Sequence, residues 1–207
     1  MITKIEQGFL KINIDRFHGY LDKIGDIVDI FYKKNKTQPV NFVIQNHKLI
    51  IANPEKYINR VEIDHKSIFL NYNKQEMPQV PIRFFVELVN EIFRLTKYKE
   101  VECSRIGHAV HHIIDNDKQI QELQSKIFTS KNVVSIINDT VFEIPFNDRI
   151  RVQKIISTPI DGLINKKIFL LNIDFFTQKN EKVDALNDIL TQSIDYFDNR
   201  LFDGLYE

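Results

Sequence analysis

The apolar residues of this chain change their spacing along its length, and these changes mark out strands and helices. Residues 9–14 alternate between apolar and polar positions, which predicts a strand with one buried face. From Tyr20 an apolar stripe at helical spacing predicts an amphipathic helix that closes with a basic run at residues 33–36. Pro39 then ends the helix. The stripe comprises Leu21, Ile24, Ile27, Val28 and Phe31.

Short apolar segments separated by turn residues follow this helix and predict an antiparallel meander with hairpins at residues 45–48 and 65–67. A broad apolar stripe between Phe84 and Leu95 then predicts a well-buried helix, with prolines at its start where they are tolerated. The meander segments are Val40–Ile44, Leu49–Ala52, Val61–Asp64 and Ile68–Tyr72.

The same order of elements recurs in the second half of the chain. Residues 102–115 carry too many β-branched side chains for a comfortable helix and predict a long strand, with Gly107 marking a bulge. A short amphipathic helix is expected from Asp115 to Phe128, and a final helix from about Val183 to Leu201. Between them a second meander is predicted at Val133–Ile137, Val141–Phe146, Ile150–Ile156 and Ile168–Phe175.

These elements predict an α+β fold made of two β-α-β(3–4)-α units, a pseudo-duplication of pattern rather than of residues. The units are residues 1–98 and 99–207. No segment rich in Gly, Ser or Pro separates them at residues 96–100, so we expect one continuous globular domain. The two units should share an antiparallel sheet with the helices packed on one face.

The composition narrows the environment and the partners. The 28 basic and 28 acidic side chains cancel, so net charge gives no reason to expect a nucleic-acid partner. A single cysteine excludes an internal disulfide, and no apolar run is long enough for a membrane span. We therefore expect a soluble cytoplasmic protein with no membrane contact.

Three histidines in the central strand raise the question of a metal site. His108 and His112 share a face, but four residues of strand separate them by about 13 Å. Zinc needs both nitrogens within about 2.1 Å, so no metal and no cofactor are expected. The lone Cys103 is interpreted as a buried small side chain. The chain has neither a glycine-rich phosphate loop nor a G-x-S-x-G motif, so no catalytic residue is assigned and a non-enzymatic role is favoured.

The last strand supplies the main candidate for a binding surface. If the side chains at 169, 171, 173 and 175 pack under the helices, then Ile168, Leu170, Asn172 and Asp174 face outward. The alternation of the central strand does not decide whether the face of His108 and His112 lies on that side, and both are kept as candidate binding residues. We therefore predict a protein-binding module or a homo-oligomer. The alternatives are a small-molecule or nucleotide sensor, with Arg105, His108 or His112 as donors in a pocket between sheet and helices, and a nucleic-acid binder.

Two resemblances bear on the fold. The order β-α-β(3–4)-α, twice over the whole chain, resembles the helix-grip arrangement of TATA-box-binding-protein-like folds, which implies a saddle-shaped sheet. Three short motifs also resemble an uncharacterised, sporadically distributed bacterial protein family with no assigned chemistry. They are Arg105-Ile106-Gly107-His108, Leu171-Asn172-Ile173-Asp174 and Ile194-Asp195-Tyr196-Phe197. The protein-binding module predicted above is expected to act in a bacterial defence or toxin–antitoxin setting.

Overall fold

The computed structural model describes residues 4–14, 17–34, 41–73, 79–97, 101–114, 133–135, 139–157 and 169–199. Its strands are β1 (Lys4–Ile14), β2 (Asn41–Gln45), β3 (Lys48–Glu55), β4 (Ile58–Ile63), β5 (Ser67–Asn73), β6 (Glu102–Ile114), β7 (Val133–Ser135), β8 (Asp139–Pro145), β9 (Ile150–Ser157), β10 (Phe169–Thr177) and β11 (Glu181–Lys182). Its α-helices are α1 (Ile24–Lys34), α2 (Gln79–Thr96) and α3 (Leu186–Asn199). The helix expected over 115–128 lies outside the described residues.

One antiparallel sheet runs through the molecule in the order β2-β3-β4-β5-β1-β6-β10-β9-β8-β7, and β11 adds to the start of β6. At its centre β1 pairs with β6 along most of its length, with Ile12 opposite Ile106 and Leu10 opposite His108. An α+β fold with a single large antiparallel sheet is therefore confirmed. β11 is too short to show an alternating pattern, and it was not predicted.

Alternate residues of the central strands form a buried face, which we call the core face. Each such aliphatic side chain contributes about 1.5–3 kcal/mol when fully buried. The helices supply matching apolar residues, since α2 contacts β5 and α3, and α3 contacts β6. Members of the core face with no exposed surface include Leu10, Ile12, Leu70, Ile106, Val110, Leu171, Ile173 and Phe175.

Two local expectations are wrong. Gly107 pairs regularly with Lys11 and Phe176, and the register shift in β6 instead skips Ser104, between the pairs made by Cys103 and Arg105. Leu21 is 39% exposed because residues 18–23 form a 3₁₀ helix. Three residues per turn move Leu21 off a stripe that is continuous only at α-helical spacing.

β2 is the first strand in the sheet order, and its hairpin to β3 turns at Asn46 and His47. Both of these residues have positive φ, 50° and 57°, as a two-residue type I′ turn requires. All five residues of β2 are exposed, among them Phe42, Val43 and Ile44.

Gly8 in β1 is the position where the sheet requires a glycine. It lies opposite Tyr72 of β5 on one side and Val110 of β6 on the other. A Cβ atom at Gly8 would overlap the phenol ring of Tyr72, which lies across β1 at this point. Because Gly8 has no side chain, Tyr72 of β5 can extend across β1 toward β6.

The continuous β1–β6 pairing generates a prediction about the two halves. Fragments 1–98 and 99–207, expressed separately, should be poorly folded and prone to aggregation, because each exposes the central strand edge and half of the core. Circular dichroism and light scattering of the fragments check this. Two soluble monomers that each melt cooperatively would contradict the single-core interpretation.

Gly8 generates a second prediction. Gly8→Ala should lower the free energy of unfolding by about 1–3 kcal/mol, because the methyl group displaces the Tyr72 ring in a packed core. Gly25→Ala is the matched control, since nothing lies within 4 Å of its Cβ position. That change should leave stability unaltered or raise it by up to about 1 kcal/mol. Urea denaturation of both variants measures the difference, and equal stabilities would refute the steric role of Gly8.

Candidate functional site

Tyr72, His108 and Ser193 form a chain of side-chain hydrogen bonds inside the core. The Ser193 hydroxyl donates to the carbonyl oxygen of Leu190, 2.6 Å away. It therefore accepts from His108 Nδ1 at 2.5 Å, which leaves Nε2 to accept from the Tyr72 hydroxyl at 2.6 Å. Complete burial lowers the pKa of His108 to about 3 and raises that of Tyr72. The imidazole is thus neutral, with its proton on Nδ1. The three hydrogen-bonded side chains have a structural role.

Other polar groups that attract attention in the sequence are also in the core. His112 is 2% exposed and Cys103 is fully buried, and burial raises the pKa of the Cys103 thiol to about 12. A thiol of this kind is inert as a nucleophile at neutral pH. Lys154 of β9 is fully buried too, with its ammonium group 5.1 Å from the centre of the Tyr196 ring.

The opposite side of the central strands, which we call the outer face, keeps its side chains partly or fully exposed. Strand register arranges these side chains in rows. Lys11 of β1 lies between Phe69 of β5 and Gly107 of β6. The next row contains Phe9, Ala109 and Asp174, and the row after it contains Gln7, His111 and Asn172.

A depression of about 320 Å³ opens at the middle of the outer face. Gly107 and Ala109 are successive outer-face positions of β6. Because they are small, they form the floor of the depression. Taller side chains from β1, β5 and β10, together with one from β6 itself, surround this floor. They are Phe9, Lys11, Asn13, Phe69, Arg105 and Asp174. We call this feature the Gly107–Ala109 depression.

Arg105 is held in place on one side of the depression. Its guanidinium forms an ion pair with Asp174 and lies over the Phe176 ring, 4.0 Å from the ring centre. Burial raises the pKa of Asp174, while the positive charges of Arg105 and Lys11 oppose that shift. A guanidinium that is paired and stacked at once loses little further rotamer freedom on binding.

On the other side, the rings of Phe9 and Phe69 stack with centres 5.8 Å apart, and the His111 ring lies 4.5 Å from Phe9. Phe9 and Phe69 are only half-buried, so apolar area of both faces the depression. The wall formed by β1 and β5 is therefore aromatic, with Lys11 beside it.

Several charged side chains of the outer face form ion pairs with one another. Glu62 pairs with Lys48 and Arg60, and Glu143 pairs with Arg151. Lys11 is exposed, and its positive charge acts on the carboxylate of Asp174 across the depression.

The structure separates the candidate residues predicted from sequence. Arg105, Asn172 and Asp174 lie on the outer face, and the first and last of them form an ion pair. Leu170 pairs with Ile113 and Ser157 in β10, while its side chain lies outside the described part of the chain.

His108 and His112, candidate binding residues whose face the sequence left undecided, do not lie on the outer face. Both point into the core beside Val110, because β6 alternates without a break from Arg105 to His112. His108 cannot be a donor to an external ligand while it bonds Tyr72 and Ser193.

Sequence reasoning missed Lys11, Phe9 and Phe69, which come from strands treated only as fold elements. It also missed the floor formed by Gly107 and Ala109. The alternation of small residues with large ones in β6 could have indicated this floor. The residues around it are determined by the register between strands, which the pattern of a single strand does not specify.

In the described ranges, no three His, Cys, Asp or Glu side chains converge in a way that could hold a metal ion. None of the helices there combines the length and the apolar character needed to cross a membrane. No protein-family model matches the chain, and no curated protein is significantly similar to it.

The neutral state of His108 generates a pH prediction. Its pKa is depressed in the folded protein, so the unfolded chain takes up a proton first as pH falls below about 6.5. This group should therefore remove about 2 kcal/mol of stability between pH 7 and pH 5. Urea denaturation at both values should show that loss reduced in His108→Gln and retained in the exposed-site control His47→Gln.

If His108→Gln does not fold, the wild-type protein still tests the assignment. Long-range proton–nitrogen NMR spectra should show a neutral His108 ring protonated at Nδ1 at pH 5. A cationic ring at that pH would overturn it.

Proposed function

We propose that this chain is a non-enzymatic protein-binding module whose partner docks on the outer face of the sheet. The observation that supports this proposal is the composition of that face around the Gly107–Ala109 depression. Half-buried Phe9 and Phe69 line one side of the depression, and the Arg105–Asp174 ion pair lines the other. Aromatic side chains and arginine are the residue types enriched at protein interfaces, and anchors that fill pockets carry most of the binding energy.

Burial supports an interface rather than catalysis. Two described side chains suited to nucleophilic or acid–base chemistry, His108 and Cys103, are enclosed in the core, whereas His111 is half-buried on the outer face against the Phe9 ring. The Asp174 carboxylate forms an ion pair with Arg105. The outer face thus offers apolar contact area and fixed charges, which are the requirements of recognition.

We further propose that the module is an internal duplication of the TATA-box-binding-protein-like kind, with its helices on the core face. Reading outward from the β1–β6 pair, the strand order is β5-β4-β3-β2 on one side and β10-β9-β8-β7 on the other. This symmetry of order supports the duplication. The proposed setting is the cytoplasm of a bacterium, in a defence or toxin–antitoxin system; the motif resemblance at Arg105–His108 supports its bacterial part.

A second candidate is a small-molecule or nucleotide sensor, favoured by the volume of the depression. At about 320 Å³ it is at the lower limit of ordinary ligand pockets. Its site would be on the outer face rather than between sheet and helices, with Arg105 and Lys11 as the donors.

Asn172 provides the test, because it lies on the outer face and its replacement leaves the core unchanged. Asn172→Arg should abolish capture of the partner from host extract by the purified protein. Asn187→Arg, the same change at an exposed position of α3, should capture it as the wild type does. Mass spectrometry identifies the captured protein. Equal capture by both variants would rule out the outer face as the interface, and a co-purifying metabolite without a protein would favour the sensor.

A further inference from the structure

β2 is the edge of the described sheet, and the hairpin to β3 determines where its backbone groups point. No described strand pairs with β2 on the side away from β3. The two-residue turn at 46–47 makes Gln45 and Lys48 the hydrogen-bonded pair that closes the hairpin. Because hydrogen-bonded and non-hydrogen-bonded pairs alternate in an antiparallel ladder, Phe42 and Ile44 direct their N–H and C=O groups away from β3.

These outward groups match those of an identical strand. In an antiparallel pair centred on Val43, Phe42 of one copy lies opposite Ile44 of the other, and each such pair exchanges both of its hydrogen bonds. Every outward N–H and C=O group of the two residues is then used. Any other two-fold register that pairs outward groups places Phe42 or Ile44 opposite a residue outside β2.

The side chains favour the same register. Phe42 and Ile44 lie opposite fully buried residues of β3 and so point to the side of the core face, yet they are 43% and 53% exposed. The pairing puts Phe42 beside Ile44 of the second copy, and an aromatic with a β-branched side chain is a favourable cross-strand pair. Val43 points to the opposite side, is 58% exposed and meets its own copy at the two-fold axis.

Charge does not oppose this contact. β2 has no ionisable side chain, and the chain has a net charge of zero. Lys48, which closes the hairpin on β3, is paired with Glu62. Three strand spacings, about 14 Å, would separate β3 from its copy, which exceeds the screening length of about 8–10 Å at ordinary salt. Among the described residues, the pairing therefore sets no like charges opposite each other.

We infer that two copies of this chain associate through β2, antiparallel and centred on Val43, so that one sheet continues across a two-fold axis. The contact uses both β2 edges and therefore closes at two copies. Five residues a side is far fewer than the about 20–30 of a standard interface, so the dimer belongs to the weak, transient class. It is separate from the outer-face interface, and Asn172→Arg should dimerise as the wild type does.

The wild-type protein gives the first test. Sedimentation velocity between about 10 µM and 1 mM should show conversion of monomer to dimer without larger species. Hydrogen exchange followed by NMR over the same range reads the register. The amides of Phe42 and Ile44 should exchange about tenfold more slowly at the highest concentration, whereas Val43, already bonded to β3, should change less.

Charged variants test the residue at the axis. Val43→Glu should weaken the dimer about tenfold, because it sets two carboxylates directly opposite each other. Val43→Lys should do the same, and an equimolar mixture of the two variants should recover association. Val80→Glu is the matched control, since Val80 in the first turn of α2 is a comparably exposed valine, at 50%. It should dimerise as the wild type does.

A cysteine variant locates the axis without charge. Directly opposite residues of a non-hydrogen-bonded pair have Cα atoms about 4.5 Å apart, which is within disulfide range. With oxidised glutathione, Val43→Cys should form a covalent dimer about tenfold faster than Val80→Cys. The native Cys103 is fully buried and does not compete.

Three outcomes would overturn the inference: a wild-type protein that stays monomeric up to about 1 mM, equal linking rates of the two cysteine variants, or a Glu–Lys mixture no more associated than either variant alone. Capture of a foreign protein by a monomer, lost in Val43→Glu and kept in Val80→Glu, would replace the second copy with a strand of another protein. Loss of the dimer in Asn172→Arg would move the self-contact to the outer face and refute pairing through β2.

Discussion

Tyr72, His108 and Ser193 connect β5, β6 and α3 through hydrogen bonds in a core that is otherwise mostly apolar. Their geometry depends on Gly8, because the Tyr72 ring crosses β1 where a side chain would stand. Each member has a fixed donor or acceptor role, and a buried polar group left unsatisfied costs about 1–3 kcal/mol. The network therefore specifies one position of α3 on the sheet, which apolar packing alone specifies less sharply.

The same network sets the arrangement of the outer face. A slip of β6 by one residue would exchange the two faces of that strand and bring Gly107 to the position of His108. It would break both imidazole hydrogen bonds and bury Arg105 without Asp174. The buried histidine thus holds Lys11, Gly107 and Asp174 in register on the exposed side. The outer face and the core therefore depend on the same strand alignment.

Local patterns predicted most of the elements but little of the site. Residues 169–175 and 84–95 show clear periods, so β10 and α2 were recognised from sequence. The sequence did not decide the face of His108 because β6 has small or apolar residues on both sides, with Gly107 and Ala109 on one and Ile106 and Val110 on the other. Long-range pairing resolves this ambiguity: β1 lies between β5 and β6, although some fifty residues separate it from β5 in the chain.

β2 is a strand at the end of the sheet order, and it has no charged side chain. Asn41-Phe42-Val43-Ile44-Gln45 contains neither proline nor an ionisable side chain, and all five residues are exposed. Natural proteins usually protect such edges with lysine, proline or a bulge. Short uncharged segments of this type are also templates for cross-β growth. We therefore expect this pentapeptide to favour self-association, and a lysine within it is the first change to make for concentrated samples.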